Sequence, residues 1–127
     1  MENKKVLVAD DEVHIVNVVA MKLRNNGFDV ITADNGADAY KLCCEEKPDI
    51  IITDYQMPQM TGIELIEKVR SNPEVRHIPI IMLTARGFAI EDEQKERLNV
   101  AECLSKPFSP KELLSHVESV LQSSAVR

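Results

Sequence analysis

Basic residues are in the minority. Fifteen Lys and Arg face 21 Asp and Glu, for a formal net charge of -6 over 127 residues. Non-specific nucleic-acid binding rests on Lys and Arg facing phosphates, and an anionic membrane surface asks for the same sign. Neither direct nucleic-acid binding nor a membrane partner is expected. Long hydrophobic runs are missing too. None reaches the ~18 apolar residues of a membrane span, and Val6 to Ala9 ends at two aspartates, too early for a signal-peptide core. Cysteine is limited to Cys43, Cys44 and Cys103, an odd number without CxxC spacing, which fits a reducing compartment. A cytoplasmic location is expected. Adjacent Cys43 and Cys44 point in different directions on a helix, one into the core and one to the surface. There is no GxxxxGK[ST], which argues against a P-loop NTPase. Nor is there an internal repeat, a low-complexity run or an interdomain linker, so residues 1–127 read as one domain with a core from about 4 to 122. A chain of this length buries roughly two-thirds of its unfolded surface and needs no disulfide or metal to fold.

What is present is an alternation of short β-branched runs with longer helical patterns. Lys5 to Ala9, Phe28 to Ala33, Ile50 to Thr53, Ile78 to Leu83 and Val100 to Leu104 read as strands. Between and after them, Val13 to Asn25, Ala37 to Lys47, Gly62 to Ser71, Ile90 to Leu98 and Pro110 to Gln122 read as helices. The first is stopped by Asn26-Gly27, the second ends before Pro48, and the last starts with Ser109 as N-cap and Pro110 in its first turn. Ser123 to Arg127 reads as a frayed end. Near-continuous apolar strands imply burial on both faces, hence an α/β fold with a parallel sheet between helix layers. Right-handed crossovers make it doubly wound.

In such sheets, ligands bind beyond the carboxyl ends of the strands. Strand one ends in Asp10-Asp11-Glu12, strand three in Asp54, strand four in Thr84 and strand five in Lys106 before Pro107. Carboxylates crowded on one edge repel by about 4 kcal/mol at ~4 Å and an effective dielectric of 20. A hard divalent cation relieves this, and Mg²⁺ takes one or two carboxylates plus waters and a phosphate. The charges of Asp10, Asp11 and Asp54 then balance those of Mg²⁺ and Lys106. Each piece also has a plainer reading. An Asp pair after a strand serves equally as a helix cap, a lone Thr as a turn residue and a lone Lys-Pro as surface. The combination, in this order, carries the specificity.

Asp10-Asp11-Glu12, Asp54-Tyr55-Gln56-Met57-Pro58-Gln59-Met60-Thr61-Gly62, Leu83-Thr84-Ala85 and Leu104-Ser105-Lys106-Pro107-Phe108 resemble the four signatures of the CheY-like receiver domain of two-component response regulators. The resemblance runs from residue 4 to about 122. It implies a flavodoxin-like sheet of order 2-1-3-4-5 with five flanking helices. It implies that Asp54 is the nucleophile and phosphoacceptor, supplied by a histidine kinase or a histidine phosphotransfer domain. It implies Mg²⁺ held by Asp11, Asp54 and the backbone carbonyl of Gln56, with Asp10 assisting through water. Lys106 would contact the phosphoryl oxygens from beside a cis Lys106-Pro107 bond, and Thr84 would hydrogen-bond the phosphoryl group once present. The protein would catalyse its own phosphorylation and dephosphorylation without turning over an external substrate: a signalling module that switches partner binding or relays the phosphate.

The chain departs from this family at Cys103. The usual switch couples the strand-four Thr to an aromatic residue three before the Lys, and a thiol cannot rotate a ring in and out of a groove. The output is instead expected through backbone shifts around Thr84 and the helix 90–98, with Cys103 a small buried filler. Gln56 and Arg86 occupy positions that tune phosphoryl lifetime in the family, although Arg86 reads equally as a solvated surface residue. On helix one, Ile15, Val18, Val19 and Lys22 form a core stripe by spacing, and Val16, Ala20 and Leu23 form a second apolar stripe. That second stripe is either the kinase-docking face or part of a wide core stripe. His14 and His77 read as surface residues. Two rivals lack their signatures. A haloacid-dehalogenase-like phosphatase needs DxD after strand one, and a flavodoxin-like FMN carrier needs a hydroxyl-rich loop there.

Overall fold

The structure, a computed structural model, describes residues 3–57, 59–85 and 92–126. Runs of Val and Ile build the sheet. The strands are β1 (Lys5–Ala9), β2 (Asp29–Ala33), β3 (Ile50–Asp54), β4 (Ile80–Thr84) and β5 (Glu102–Ser105). They pair in parallel in the order β2-β1-β3-β4-β5. Every residue of β3 and β4 is buried, the signature of strands covered on both faces. The helices are α1 (Val13–Arg24), α2 (Gly36–Glu46), α3 (Gly62–Ser71), α4 (Asp92–Arg97) and α5 (Pro110–Val126). This is the expected doubly wound fold, with the expected strand order.

Alternation along the strands sorts the core into two layers. Val6, Val8, Ile50, Ile52, Ile81 and Leu83 face α1 and α5, whose Val19, Leu23, Leu113 and Val117 complete that layer. Leu7, Ala9, Ile51, Ile80 and Met82 point to the opposite face and meet Cys43 of α2 and Leu65, Ile66 and Val69 of α3. A period of two in the strands meets a period of 3.6 in the helices. Each fully buried aliphatic side chain contributes roughly 1.5–3 kcal/mol of transfer free energy. No helix among the described residues is long and apolar enough to cross a membrane.

Helix ends follow local chemistry. Asn35 caps α2 by accepting from the Asp38 N–H at 2.8 Å, and Thr61 and Glu64 form a reciprocal capping box on α3. Ser109 accepts from the Glu112 N–H at 3.0 Å, as its N-cap position predicts. Helix α2 stops one residue earlier than its pattern suggests, because Lys47 turns left-handed (φ 46°) just before Pro48. Helix α5 continues to Val126, past the end expected at Gln122.

Three expectations need correction or limits. The two stripes on α1 merge: Ile15 and Val19 of the first face the core as expected, but Val18 does not, and Ala20 and Leu23 of the second join them. Val19, Ala20 and Leu23 are buried, with Ile15 and Val16 half-buried one turn before them, a single stripe at helical spacing. Val18, 100° around the axis from Val19, is 49% exposed, and Val13 and Met21 are exposed as well. Ala20 and Leu23 therefore belong to the core, as the reading of a wide core stripe has it, and Val16 is the half-buried member of that stripe. Cys103, expected as a buried filler, is only half-buried; it pairs in register with Met82 and packs on the α2/α3 layer. Arg86, Pro58 and the start of the helix expected at Ile90 lie outside the described residues. Cys43 is buried and Cys44 half-buried, as adjacent helical positions predict.

Candidate functional site

The sheet reverses its winding between β1 and β3, and the carboxyl ends of these two strands lie side by side. Asp10, one residue past β1, is fully buried, and Asp54, the last residue of β3, is 7% exposed. Both elements are held by backbone. The Asp10 N–H donates to the Ala33 carbonyl, and the Tyr55 N–H donates to the Leu83 carbonyl at 2.9 Å. The same Tyr55 N–H lies 2.9 Å from Asp54 Oδ1.

Opposite them, Lys106 comes off the end of β5. Its backbone N–H donates to the Thr84 carbonyl at 2.7 Å, and its bond to Pro107 is cis, as the resemblance implies. The ammonium lies 2.9 Å from Asp10 Oδ2, 2.8 Å from Glu12 Oε1 and 3.3 Å from Asp54 Oδ1. Among the described residues, Asp10, Glu12 and Asp54 each offer a carboxylate oxygen within 4.8 Å of the other two. Asp11 is exposed and is not one of the three. Glu12 occupies the N-cap position of α1, but its side chain caps nothing and reaches Lys106 instead.

The electrostatics follow from crowding and burial. Burial, with the Asp10 charge next to it, pushes the Asp54 carboxyl up to about 6, against the pull of Lys106 and the Tyr55 N–H. Burial works to lower the Lys106 ammonium, but the carboxylates of Asp10 and Glu12 against it outweigh that and hold the group well above its ordinary value. The hydrogen bond from Lys106 draws the Glu12 carboxyl down. Three carboxylates thus share one lysine. Asp10 Oδ2 is buried without a hydrogen bond of acceptable geometry, although Lys106 lies nearby. A buried carboxylate oxygen left in that condition is costly. A hard cation with oxygen ligands fits this donor set.

Beside the carboxylates, a cavity of about 110 Å³ is lined by Asp54, Tyr55, Gln56, Ala85 and Lys106. It places open space beside Asp54 and Lys106. A larger cleft of about 580 Å³ opens between α1 and α2, touching Asp10 but reaching neither Asp54 nor Lys106. Thr84 is buried, and its hydroxyl donates a long 3.4 Å bond to the Leu104 carbonyl. A bond that long is weak and readily exchanged for a better acceptor.

The loop after Asp54 folds back on it. The Gly62 N–H donates to the Tyr55 carbonyl at 2.8 Å, and a Cβ at Gly62 would stand 2.3 Å from the Asp54 carbonyl oxygen. Sequence spacing identified Gly62 as the opening of α3; the contact explains why no larger residue fits. No motif or turn signal marks Gly36 in the sequence. A Cβ there would stand 2.2 Å from the Met60 carbonyl oxygen, so α2 presses on the same loop. Only an unusually close approach of two backbones, invisible to pattern, marks that position.

Known proteins supply an independent comparison. Residues 6–118 match the family described as response regulator receiver domain. The alkaline phosphatase synthesis transcriptional regulatory protein PhoP of Bacillus subtilis is 38% identical over 124 residues, covering 98% of this chain and 51% of that protein. The phosphate regulon transcriptional regulatory protein PhoB of Pseudomonas aeruginosa is 36% identical, covering 96% and 53%. The chain spans about half the length of these curated relatives. Among solved structures, the chemotaxis response regulator CheY4 of Vibrio cholerae superposes with a TM-score of 0.86 at 33% identity, covering 93% of this chain and 98% of that one.

Proposed function

Because the chain belongs to the response regulator receiver domain family, we propose that Asp54 accepts a phosphoryl group from a phosphohistidine on a histidine kinase or a histidine phosphotransfer domain, and that Asp10, Lys106 and Thr84 serve that transfer. The observation that carries the reading is the Asp54 carboxylate itself. It is nearly buried, it lines a small cavity, and a lysine ammonium stands 3.3 Å away.

Asp54 works as the nucleophile. One of its oxygens attacks phosphorus in line with the leaving imidazole nitrogen; the P–O bond to Asp54 forms as the P–N bond breaks, and the imidazole leaves as the neutral base after taking up a proton. Lys106 stabilises charge on the transferring oxygens, so catalysis is positioning plus electrostatics. Thr84 gives up its long bond to the Leu104 carbonyl and donates to the new phosphoryl group. Gln56 lines the cavity and stands where it can set the access of water to the acyl phosphate. Asp54, with Asp11 and the Gln56 carbonyl by resemblance and Asp10 assisting through water, would hold Mg²⁺, which when bound would neutralise charge on the phosphoryl oxygens.

The reading makes the chain a signalling module that catalyses its own modification. It places the protein in the cytoplasm, where kinase and phosphodonor reside. The test is labelling by a small phosphodonor such as acetyl phosphate, followed by mass measurement. One phosphoryl group, dependent on Mg²⁺ and absent from Asp54→Asn, is expected. Equal labelling of Asp54→Asn would refute Asp54 as the acceptor.

A further inference from the structure

Lys106 has more anionic partners than the transfer requires, and the closest of the three is Glu12, at 2.8 Å. Asp10 and Asp54 are buried and bind the ammonium inside the site. Glu12 is different: its side chain is 45% exposed and it sits at the rim. Its position is built. The Glu12 N–H donates to Asp10 Oδ1 at 3.0 Å, which ties the residue to the site floor. Its carboxylate makes no capping bond on α1 and is left to reach across to β5.

The two buried carboxylates cannot serve Lys106 and a divalent cation equally well, because the two cations repel one another at such range. A lysine displaced from Asp10 and Asp54 needs another counter-charge or must stand unpaired in a half-buried site. We propose that Glu12 is a positioning residue that acts through Lys106: it takes over the ammonium when a divalent cation occupies the Asp10/Asp54 pair, and so lowers the cost of cation binding while keeping the lysine at the mouth of the cavity. This rests on the reading of the site as a cation-dependent phosphoacceptor. In that role Glu12 keeps its charge-assisted hydrogen bond to Lys106 throughout, while the ion pairs with Asp10 and Asp54 are the ones given up.

The test is Mg²⁺ affinity measured by calorimetry on four proteins: the wild type, Glu12→Gln, Lys106→Met and the double variant. Glu12→Gln is expected to weaken Mg²⁺ binding about fivefold, the upper range for a partly exposed ion pair. In the Lys106→Met background, where there is no lysine to receive, the same substitution is expected to change affinity less than twofold. Glu12→Ser, which cannot reach Lys106 but supplies a better helix cap, should weaken binding as Glu12→Gln does while leaving the melting temperature at or above that of the wild type. Unchanged or tighter binding by Glu12→Gln would overturn the proposal. So would an equal loss in the two backgrounds, which would mean that Glu12 acts on the cation directly. Failure of the wild type itself to bind Mg²⁺ would instead remove the functional reading on which the proposal stands.

Discussion

Asp54→Asn should stabilise the cation-free protein, and by an amount that depends on pH. The Asp54 carboxyl is raised from 3.8 to about 6 by burial and by the neighbouring Asp10 charge. An acid whose native pKa lies above its unfolded value binds more protons in the native state between the two values. Stability is therefore lost as pH rises through that window, and above it the ionised group is a fixed burden. Worked through, the ionised Asp54 costs about 3 kcal/mol at pH 7.5 and about 1 kcal/mol at pH 4.5. Asparagine, a neutral isostere, removes the burden, and Lys106 keeps Asp10 and Glu12 as partners. At about 4 °C per kcal/mol for a domain of this size, the variant should melt about 10 °C above the wild type at pH 7.5 and a few degrees above it at pH 4.5. Thermal melts in chelator, followed by circular dichroism, measure both. Saturating Mg²⁺ should narrow the gap at pH 7.5, because it stabilises the protein that binds it more tightly. A variant less stable than the wild type at pH 7.5, or an advantage that does not change with pH, would refute the reasoning.

Two further substitutions probe the framework around the site. Gly62→Ala places a Cβ 2.3 Å from the Asp54 carbonyl oxygen, so the loop must move; a stability loss of about 2 kcal/mol with slowed phosphodonor labelling is expected, and a normal labelling rate would count against the coupling of loop and acceptor. Arg70 of α3 donates to the carbonyls of Arg76 and Ile78 before β4 and of Leu98 and Asn99 after α4. Arg70→Met should cost about 2–3 kcal/mol in chemical denaturation through carbonyls left without their charged donor, and hydrogen exchange should quicken first at residues 97–101.

The alternation of Val and Ile runs with amphipathic segments was enough to read the five βα units, because strand and helix periods are local properties of the chain. The acceptor site was legible for a related reason: in a parallel sheet every strand delivers its last residue to the same edge, so Asp10, Asp54, Thr84 and Lys106 could be gathered from strand ends before any side chain was placed. Element ends were less legible, as at β4, which begins at Ile80 rather than Ile78, because pairing with neighbours decides where a strand starts.

Other features needed the tertiary structure. Which residues of α1 face inward depends on the angle at which the helix meets the sheet, so Ala20 is buried and Val18 is not. Glu12 became a partner of Lys106 only when residues 94 positions apart in the chain came together. Gly36 matters because two backbones touch, and no local pattern records that contact. The sequence by itself determined the order of elements and the acidic edge with its lysine. Packing alone decided how those charges are shared, because Coulomb energy and desolvation depend on distances and burial that exist only in the folded chain.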